Sequence, residues 1–172
     1  GGFGVLPESY NEKILELGGE IVTSSSVNAL TLEDNNIRQC TINEKVYDLD
    51  YLVWTVSPFE LCSLLKIECP PLEYLHTKFI YFFLKNCNMD HQVCYYADPK
   101  VSSVRGTILS NISKSIIKNH NVSDLVCLEY TFKTREEMFA NSDEMRKTAT
   151  EDIINIGIIK DISSIESIYE LN

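Results

Sequence analysis

One stretch decides the organisation of this chain: Tyr51-Leu52-Val53-Trp54-Thr55-Val56-Ser57-Pro58-Phe59-Glu60-Leu61. Its first half is almost entirely apolar, which predicts a strand that runs directly into a helix. Ser57 can accept a hydrogen bond from the backbone N–H of Glu60, Pro58 suits the first helical position, and the Glu60 side chain can bond back to Ser57. Because helix starts at the carboxyl ends of strands present N–H groups to ligands, this junction is a candidate anion site.

The residues before this stretch alternate between helix and strand signals. A helix is predicted from the Leu6-Pro7 start to about Leu17, where Gly18-Gly19 ends it, and a short strand is predicted at 20–23. The apolar run 51–56 predicts a central strand of a parallel sheet, covered on both faces. Between the segment 20–23 and the run 51–56, alternating apolar residues and polar turns predict a three-stranded antiparallel meander. Its strands are expected at 27–32, 37–42 and 45–49.

The second part of the chain has a different pattern. Cys69-Pro70-Pro71 predicts a domain crossing, with one domain at 1–66 and the other at 67–172. Ser142-Asp143-Glu144 starts a helix that runs to about Asn155, and Gly157 follows to end it. Segments rich in β-branched and aromatic residues predict an antiparallel sheet, at 76–85, 92–97, 104–109 and 125–132. The predicted fold class is α+β, an antiparallel sheet with flanking helices.

The order of glycines, helix and turns in the first third resembles that of flavin-dependent oxidoreductases. Their pattern is Gly-Gly, a Leu-Pro helix start, a helix ending in Gly, a small-residue turn with Val, a hairpin, and a Thr/Ala-x-Pro turn. The matching residues here are Gly1, Gly2, Leu6, Pro7, Gly18, Val27 and Thr55 to Pro58. The groups that the chain resembles are the amine oxidases, protoporphyrinogen oxidases and phytoene desaturases, with UDP-galactopyranose mutase as a more distant relative.

This resemblance implies a function for each part. Residues 1–66 would be part of a Rossmann-like FAD-binding domain with a β-meander, and residues 67–172 a substrate-binding domain. The implied reaction transfers a hydride from a small organic substrate to FAD. Two alternatives stay open, namely a sugar-nucleotide enzyme similar to UDP-galactopyranose mutase and a non-catalytic α+β binding module. The resemblance places five residues near FAD: Val27, Thr55, Val56, Ser57 and Pro58.

A dinucleotide-binding turn is missing from the sequence. Such a turn, G-x-G-x-x-G, seats the pyrophosphate on a helix N-terminus. Gly2 and Gly4 supply two glycines, but Pro7 stands where the third would be. We therefore expect an internal fragment of a longer parent chain, which works with the remaining parts of that chain and does not hold FAD by itself.

Aromatic residues of the second sheet are the candidate substrate contacts. Tyr81, Tyr95 and Tyr96 supply rings and hydroxyls for a ligand. Arg105 supplies a fork of donors that matches a carboxylate or phosphate, although a structural or solvated role fits it equally well. The sequence singles out no catalytic residue.

Charge and composition argue against several other functions. A net charge of −10 with scattered basic residues argues against a nucleic-acid partner. Six cysteines without C-x-x-C spacing, and three dispersed histidines, predict free thiols and no metal site. No apolar run approaches the roughly 20 residues of a membrane span, and we expect a cytoplasmic protein.

Overall fold

The chain is described by a computed structural model that covers residues 4–171. It divides into two compact units, of which the first ends at Leu72 and the second begins at Glu73. The first unit has a three-stranded sheet and the second a five-stranded sheet, and all strand pairs are antiparallel. The predicted α+β class, with antiparallel sheets and flanking helices, is confirmed.

Helix α1, Val5–Glu16, opens the first unit. It ends where Gly18 takes a φ of +81°, a backbone conformation that side chains with a Cβ disfavour. The N–H of Gly19 bonds to the carbonyl of Ile14 at 2.8 Å, so the predicted glycine stop is confirmed. The strand predicted at 20–23 is wrong, because no strand of residues 4–171 pairs with this segment to complete its hydrogen bonds.

The predicted meander is confirmed as strands β1, Val27–Glu33, β2, Asn36–Ile42, and β3, Lys45–Asp48. Both connections are tight turns in which two consecutive residues have positive φ. These are Asp34 and Asn35 in the first turn, and Asn43 and Glu44 in the second. Turns of this kind match the right-handed twist of the strands they join, and Asn and Asp tolerate the positive φ better than most residues.

The strand predicted at 51–56 is wrong. No strand within residues 4–171 pairs with this segment, and the side chains of Tyr51 and Val53 are 90% and 84% exposed. An apolar sequence becomes a strand only where a neighbour completes its ladder, and here that neighbour is absent from the described residues. The helix that follows, α2, Pro58–Leu65, begins at Pro58 as predicted.

Ser57 caps α2, but its partner differs from the predicted one. The Ser57 hydroxyl oxygen accepts from the N–H of Phe59 at 3.3 Å. The N–H of Glu60 instead donates to the Ser57 carbonyl at 3.1 Å. An N-cap side chain can serve the second or the third helical N–H, and the backbone carbonyl already serves the third one here.

Removal of this cap should weaken the chain. We expect Ser57→Ala to lower the free energy of unfolding by about 0.5–2 kcal/mol, because the Phe59 N–H loses its acceptor. Ser63→Ala, at an exposed position of the same helix, is the matched control and should change it by less than about 0.5 kcal/mol. Urea unfolding followed by circular dichroism measures both, and equal stabilities of the two variants would contradict the capping role.

The second unit holds a five-stranded sheet in the order β5-β6-β7-β4-β8. The four predicted strands are present, and the fifth, β8, has no counterpart among the predictions. Strands β4 and β7 form the centre of the sheet and pair along nine residues each. The strands are β4, His76–Leu84, β5, Val93–Tyr95, β6, Arg105–Ile108, β7, Asp124–Phe132, and β8, Ile165–Leu171.

Three helices accompany this sheet: α3, Leu109–Ile112, α4, Arg135–Phe139, and α5, Ser142–Asn155. Helix α5 is the predicted one. The side chain of Asn141 caps it by accepting from the Glu144 N–H at 3.2 Å, and Gly157 follows with a φ of +87°. Two 3₁₀ turns complete the unit, at Lys114–Ile117 and Ile162–Ser164.

The core of the second unit lies on one face of its sheet. Successive side chains of a strand point to opposite faces, so Ile80, Phe82 and Leu84 of β4 share a face. They pack in one cluster with residues of β7, of α5 and of the segment after α5, which include Val126, Leu128, Ala149, Ile153, Ile158 and Ile159. The alternate residues of β4 therefore lie on the other face.

Candidate functional site

The face of the second sheet opposite to this core carries most of the predicted substrate residues; we call it the open face. The pairing register places Tyr81 opposite both Cys127 and Tyr169, and it places Arg105 opposite both Tyr95 and Glu129. Residues that face each other across antiparallel strands lie on the same side of the sheet. The open face is formed by Phe79, Tyr81, Phe83, Val93, Tyr95, Arg105, Thr107, Leu125, Cys127, Glu129, Ser167 and Tyr169.

Aromatic rings cluster at one end of the open face. The ring of Tyr169 meets Phe83 edge-on, with 5.5 Å between the ring centroids. The imidazole of His120 lies 4.9 Å from the Phe83 ring, so a residue from the connection before β7 also reaches this face. Tyr169 is 59% exposed and offers a ring surface for a flat or apolar ligand.

A half-buried ion pair occupies the other end, between Arg105, whose side chain is 38% exposed, and Glu129. Arg105 donates from Nε and Nη2 to the two carboxylate oxygens of Glu129, at 2.7 and 2.8 Å. Its Nη1 donates to the hydroxyl of Tyr95 at 3.3 Å, and the guanidinium lies 5.7 Å from the centroid of the Tyr95 ring. The hydrogen bonds to Glu129, and then the one to Tyr95, raise the pKa of Arg105 above its ordinary, already high value. Arg105 is therefore a permanent cation, and it holds the side chains of Glu129 and Tyr95 in place.

This geometry changes what Arg105 can do for a ligand. The sequence predicted a two-pronged contact with a substrate carboxylate or phosphate. In the structure that fork is on Glu129, whose side chain is only 11% exposed. An anion could take the fork only by leaving the Glu129 carboxylate nearly buried and unpaired, which is costly.

Tyr96 does not lie on the open face, which corrects its predicted grouping with Tyr95. Its ring packs against the core, where it contacts the backbone of Gly106. A Cβ at Gly106 would come within 2.2 Å of the Tyr96 hydroxyl oxygen, so glycine is required for this close approach. Burial, with Cys94 and Cys87 nearby, raises the pKa of Tyr96 to about 12. Adjacent residues at a strand end point to opposite sides of the sheet, which separates the two tyrosines.

Tyr81 and Cys127 supply neutral groups to the open face. Burial raises the pKa of Tyr81, and the Cys127 thiol beside it adds to the shift. Burial also raises the pKa of Cys127 to about 12, and the Glu129 carboxylate contributes. At neutral pH both groups keep their protons, so they can donate hydrogen bonds but do not act as a nucleophile or a base.

The predicted cofactor residues lie in the first unit. Val27 begins β1, an edge strand whose outer N–H and C=O groups face away from β2. Helix α2 packs against β1, so Ser57 and Pro58 at its start lie on an element next to that strand. Thr55 and Val56 precede α2 in a segment without secondary structure.

The start of α2 is not the open anion site that its sequence predicts. The N–H groups of Phe59 and Glu60 already donate to the Ser57 side chain and carbonyl. A phosphate at this helix end would have to displace the cap.

The described part of the chain holds neither a metal-binding cluster nor a membrane-spanning helix. Within residues 4–171, no three side chains from His, Cys, Asp and Glu gather as a metal ion requires. None of the helices in this range is both long and apolar enough to cross a membrane.

Comparisons with known proteins show the fold. Neither the protein-family models nor the curated protein sequences give a match. Among solved structures, reduced UDP-galactopyranose mutase matches 78% of this chain with a TM-score of 0.55 and 17% sequence identity. An oxidoreductase from Methanosarcina mazei matches 94% of the chain with a TM-score of 0.56 and 12% identity. The chain spans 31% of the mutase chain and 40% of the oxidoreductase chain.

These similarities agree with the resemblance at the level of the fold. The chain has a fold that also occurs in an oxidoreductase and in a mutase. The narrower resemblance to the amine oxidase group stays a prediction.

Proposed function

We propose that this chain is the substrate-binding portion of a flavin-dependent oxidoreductase, which transfers a hydride from a small organic substrate to FAD. The observation that carries the proposal is the open face, a sheet surface with aromatic rings and fixed polar groups. The fold shared with an oxidoreductase over most of the chain supports the proposal, as does the flavoprotein-like pattern of the first third.

The residues present fit FAD only in part. The outer edge of β1 at Val27 fits a backbone contact with the adenine end, and Thr55 and Val56 are exposed. The described residues offer no binding site for the pyrophosphate. The sequence has no glycine-rich turn, and the N–H groups of Phe59 and Glu60 at the start of α2 already donate to Ser57. We therefore assign the cofactor to the remaining parts of the parent chain, with Val27 and 55–58 at its border.

On the open face, Tyr81 and Tyr95 are the proposed substrate contacts. A substrate would lie against the tyrosine rings and accept a hydrogen bond from the Tyr81 hydroxyl. Arg105 would act as a positioning residue, because it holds Glu129 and Tyr95 in place. With its charge matched by Glu129, the pair suits a substrate that is neutral at this end.

The parent protein provides the test. We expect the full-length product of the gene to release FAD on denaturation, whereas the purified 172-residue chain should be colourless. Arg105→Lys in the full-length protein should raise KM about tenfold, because a point charge cannot hold both Glu129 and Tyr95. The FAD content should stay unchanged.

The matched control is Arg135→Lys, which makes the same chemical change at an exposed position on α4. This control should leave KM within about twofold of the wild type, a difference near 0.4 kcal/mol. A full-length protein without flavin would contradict the proposed function. If the protein holds FAD but Arg105→Lys and Arg135→Lys have the same KM, the role of the open face is contradicted and the flavoprotein assignment is not.

The mutase among the structural neighbours favours a second candidate. UDP-galactopyranose mutase acts on a sugar nucleotide, as its name states, so the open face could bind a sugar nucleotide in this chain. Reduction of FAD by the substrate under anaerobic conditions separates the two candidates, since a net hydride transfer bleaches the flavin and an isomerisation does not.

A further inference from the structure

The second unit holds a cleft beside α4 and the start of α5. Its volume is about 240 Å³, which is room for about eight atoms the size of a water molecule, at roughly 30 Å³ each. Phe132, Met138 and Met145 form the apolar part of its lining. Phe132 and Met145 also pack against the core cluster, so the cleft lies on the core side of the sheet and not on the open face. The exposed Glu137 and Glu144 line the same cleft.

Hydrogen bonds hold both of these carboxylates in place. One oxygen of Glu137 accepts from the backbone N–H groups of Lys133 and Thr134, at 3.1 and 3.3 Å, in the capping box that starts α4. One oxygen of Glu144 accepts from the Asn141 side chain at 2.9 Å, at the start of α5. The second oxygen of each carboxylate has no hydrogen-bond donor among the described residues and is left for a ligand.

The chain supplies no counter-ion for this pair of carboxylates in the part that the structure describes. Neither takes part in an ion pair with a described lysine, arginine or histidine. Arg135 of α4 lies over the Phe139 ring, 5.6 Å from its centroid. Arg146 of α5 is paired with Glu170. The cleft therefore combines an apolar lining with negative charge that no described side chain neutralises.

We propose that this cleft binds a small organic cation, which consists of an ammonium group on an apolar body. The ammonium pairs with the carboxylates of Glu137 and Glu144, and the body lies against the Phe132 ring and the two methionine side chains. Aromatic rings attract cations, and flexible methionine side chains adapt to the shape of an apolar ligand. The site uses no residue of the open face, so the proposal is independent of the proposed function.

The three methionines of the chain give a direct readout of binding. Met138 and Met145 line the cleft, whereas the Met89 methyl group lies beside Gly157. With the methionine methyl groups labelled with ¹³C, cyclohexylmethylammonium should shift the NMR signals of Met138 and Met145 with a Kd of about 1 mM. The Met89 signal should stay in place. Cyclohexylmethanol has the same shape without the charge, and it should bind at least about fivefold more weakly because it lacks both ionic contacts.

Three variants of the 172-residue chain test the carboxylates. Glu137→Gln and Glu144→Gln each remove one charge and keep a side-chain oxygen that can accept the bonds described above. Each should weaken the binding of cyclohexylmethylammonium about two- to fivefold, the range of an exposed ion pair. Glu136→Gln makes the same change in net charge at an exposed neighbour outside the cleft, and it should change the Kd by less than about 1.5-fold.

Four results would overturn the proposal. The ammonium could cause no saturable shift of the Met138 and Met145 signals, or it could shift Met89 equally. The alcohol could bind as tightly as the ammonium, which would show that the cleft does not select for charge. Glu136→Gln could weaken binding as much as the other two variants do, which would show an effect of net charge alone. The ammonium and the alcohol are compared on the wild type, so that result does not depend on the folding of a variant.

Discussion

Replacement of Asp152 by alanine is expected to lower the free energy of unfolding of the chain by about 3–5 kcal/mol. The Asp152 carboxylate is buried in α5, with 2% of the residue exposed. It accepts from the backbone N–H groups of Ser102 and Ser103, at 3.1 and 2.9 Å, and from the Tyr130 hydroxyl at 3.0 Å. Without the carboxylate these donors lose their acceptor, and the donors of Ser103 and Tyr130 belong to buried residues.

The neighbouring residue on α5 gives the matched control. Glu151 is exposed, and its contact with Lys147 is 4.0 Å long, so Glu151→Ala should change the free energy of unfolding by less than about 0.5 kcal/mol. Guanidinium chloride unfolding followed by circular dichroism measures both variants. A loss below about 1 kcal/mol in Asp152→Ala would show that water replaces the carboxylate and that the site is not sealed.

The second large effect concerns Lys78 and Glu170. The Lys78 side chain is 1% exposed, and its ammonium lies 3.4 Å from the Glu170 carboxylate, which also accepts from Arg146. We expect Glu170→Ala to lower the free energy of unfolding by about 3–5 kcal/mol, because a buried ammonium loses its counter-charge. Glu166→Ala breaks an exposed pair on the same strand, with Lys85, and should lower it by no more than about 1 kcal/mol.

A double variant tests whether the penalty comes from the orphaned charge. Lys78→Met with Glu170→Leu replaces the pair by apolar side chains of similar volume and should regain most of the lost stability. Arg146 would lose its partner, but its side chain is 50% exposed and water can solvate it. A double variant as unstable as Glu170→Ala would show that the ion pair itself stabilises the fold.

The same pair predicts a pH dependence. Burial alone would raise the pKa of Glu170, but hydrogen bonds from Arg146 and Lys78 outweigh it, so the pKa lies below its usual value. A lowered folded-state pKa adds stability above the unfolded pKa, about 4.3 for Glu, and this stability is lost as the pH falls through the folded pKa. The gap between wild type and Glu170→Gln in urea unfolding should therefore narrow below about pH 4.

Local chemistry made much of the fold predictable from the sequence. Turns with Asp34-Asn35 and Asn43-Glu44, the glycine stop at Gly18, and the helix start at Pro58 depend on residues close in the chain. The segment 51–56 shows the limit of such reasoning, because its apolar pattern is that of a strand while its ladder partner is absent from residues 4–171. Strand formation depends on a neighbour that local sequence does not name.

The open face was predictable only in part. Tyr81, Tyr95 and Arg105 were found from residue type, but their common face depends on the register of β4 to β7. Glu129 was missed because nothing in the sequence pairs it with Arg105, 24 residues away. Tyr169 was missed because β8 has no regular alternation of apolar and polar residues, and a register irregularity near Ile165 interrupts its pairing with β4. Tyr96 was wrongly grouped with Tyr95, because successive residues of an extended chain point to opposite faces of the sheet and Tyr96 packs against the core.

The order of strands in the second sheet also bears on how the protein is made. Strand β4 lies between β7 and β8, and the bond from Lys78 to Glu170 spans 92 positions of the chain. A ribosome therefore completes this apolar strand long before it makes either neighbour. Contacts at such a separation form slowly, and an unpaired strand edge attracts other chains in the meantime. The centre of this sheet therefore stays unpaired in the nascent chain until β7 and then β8 have been made.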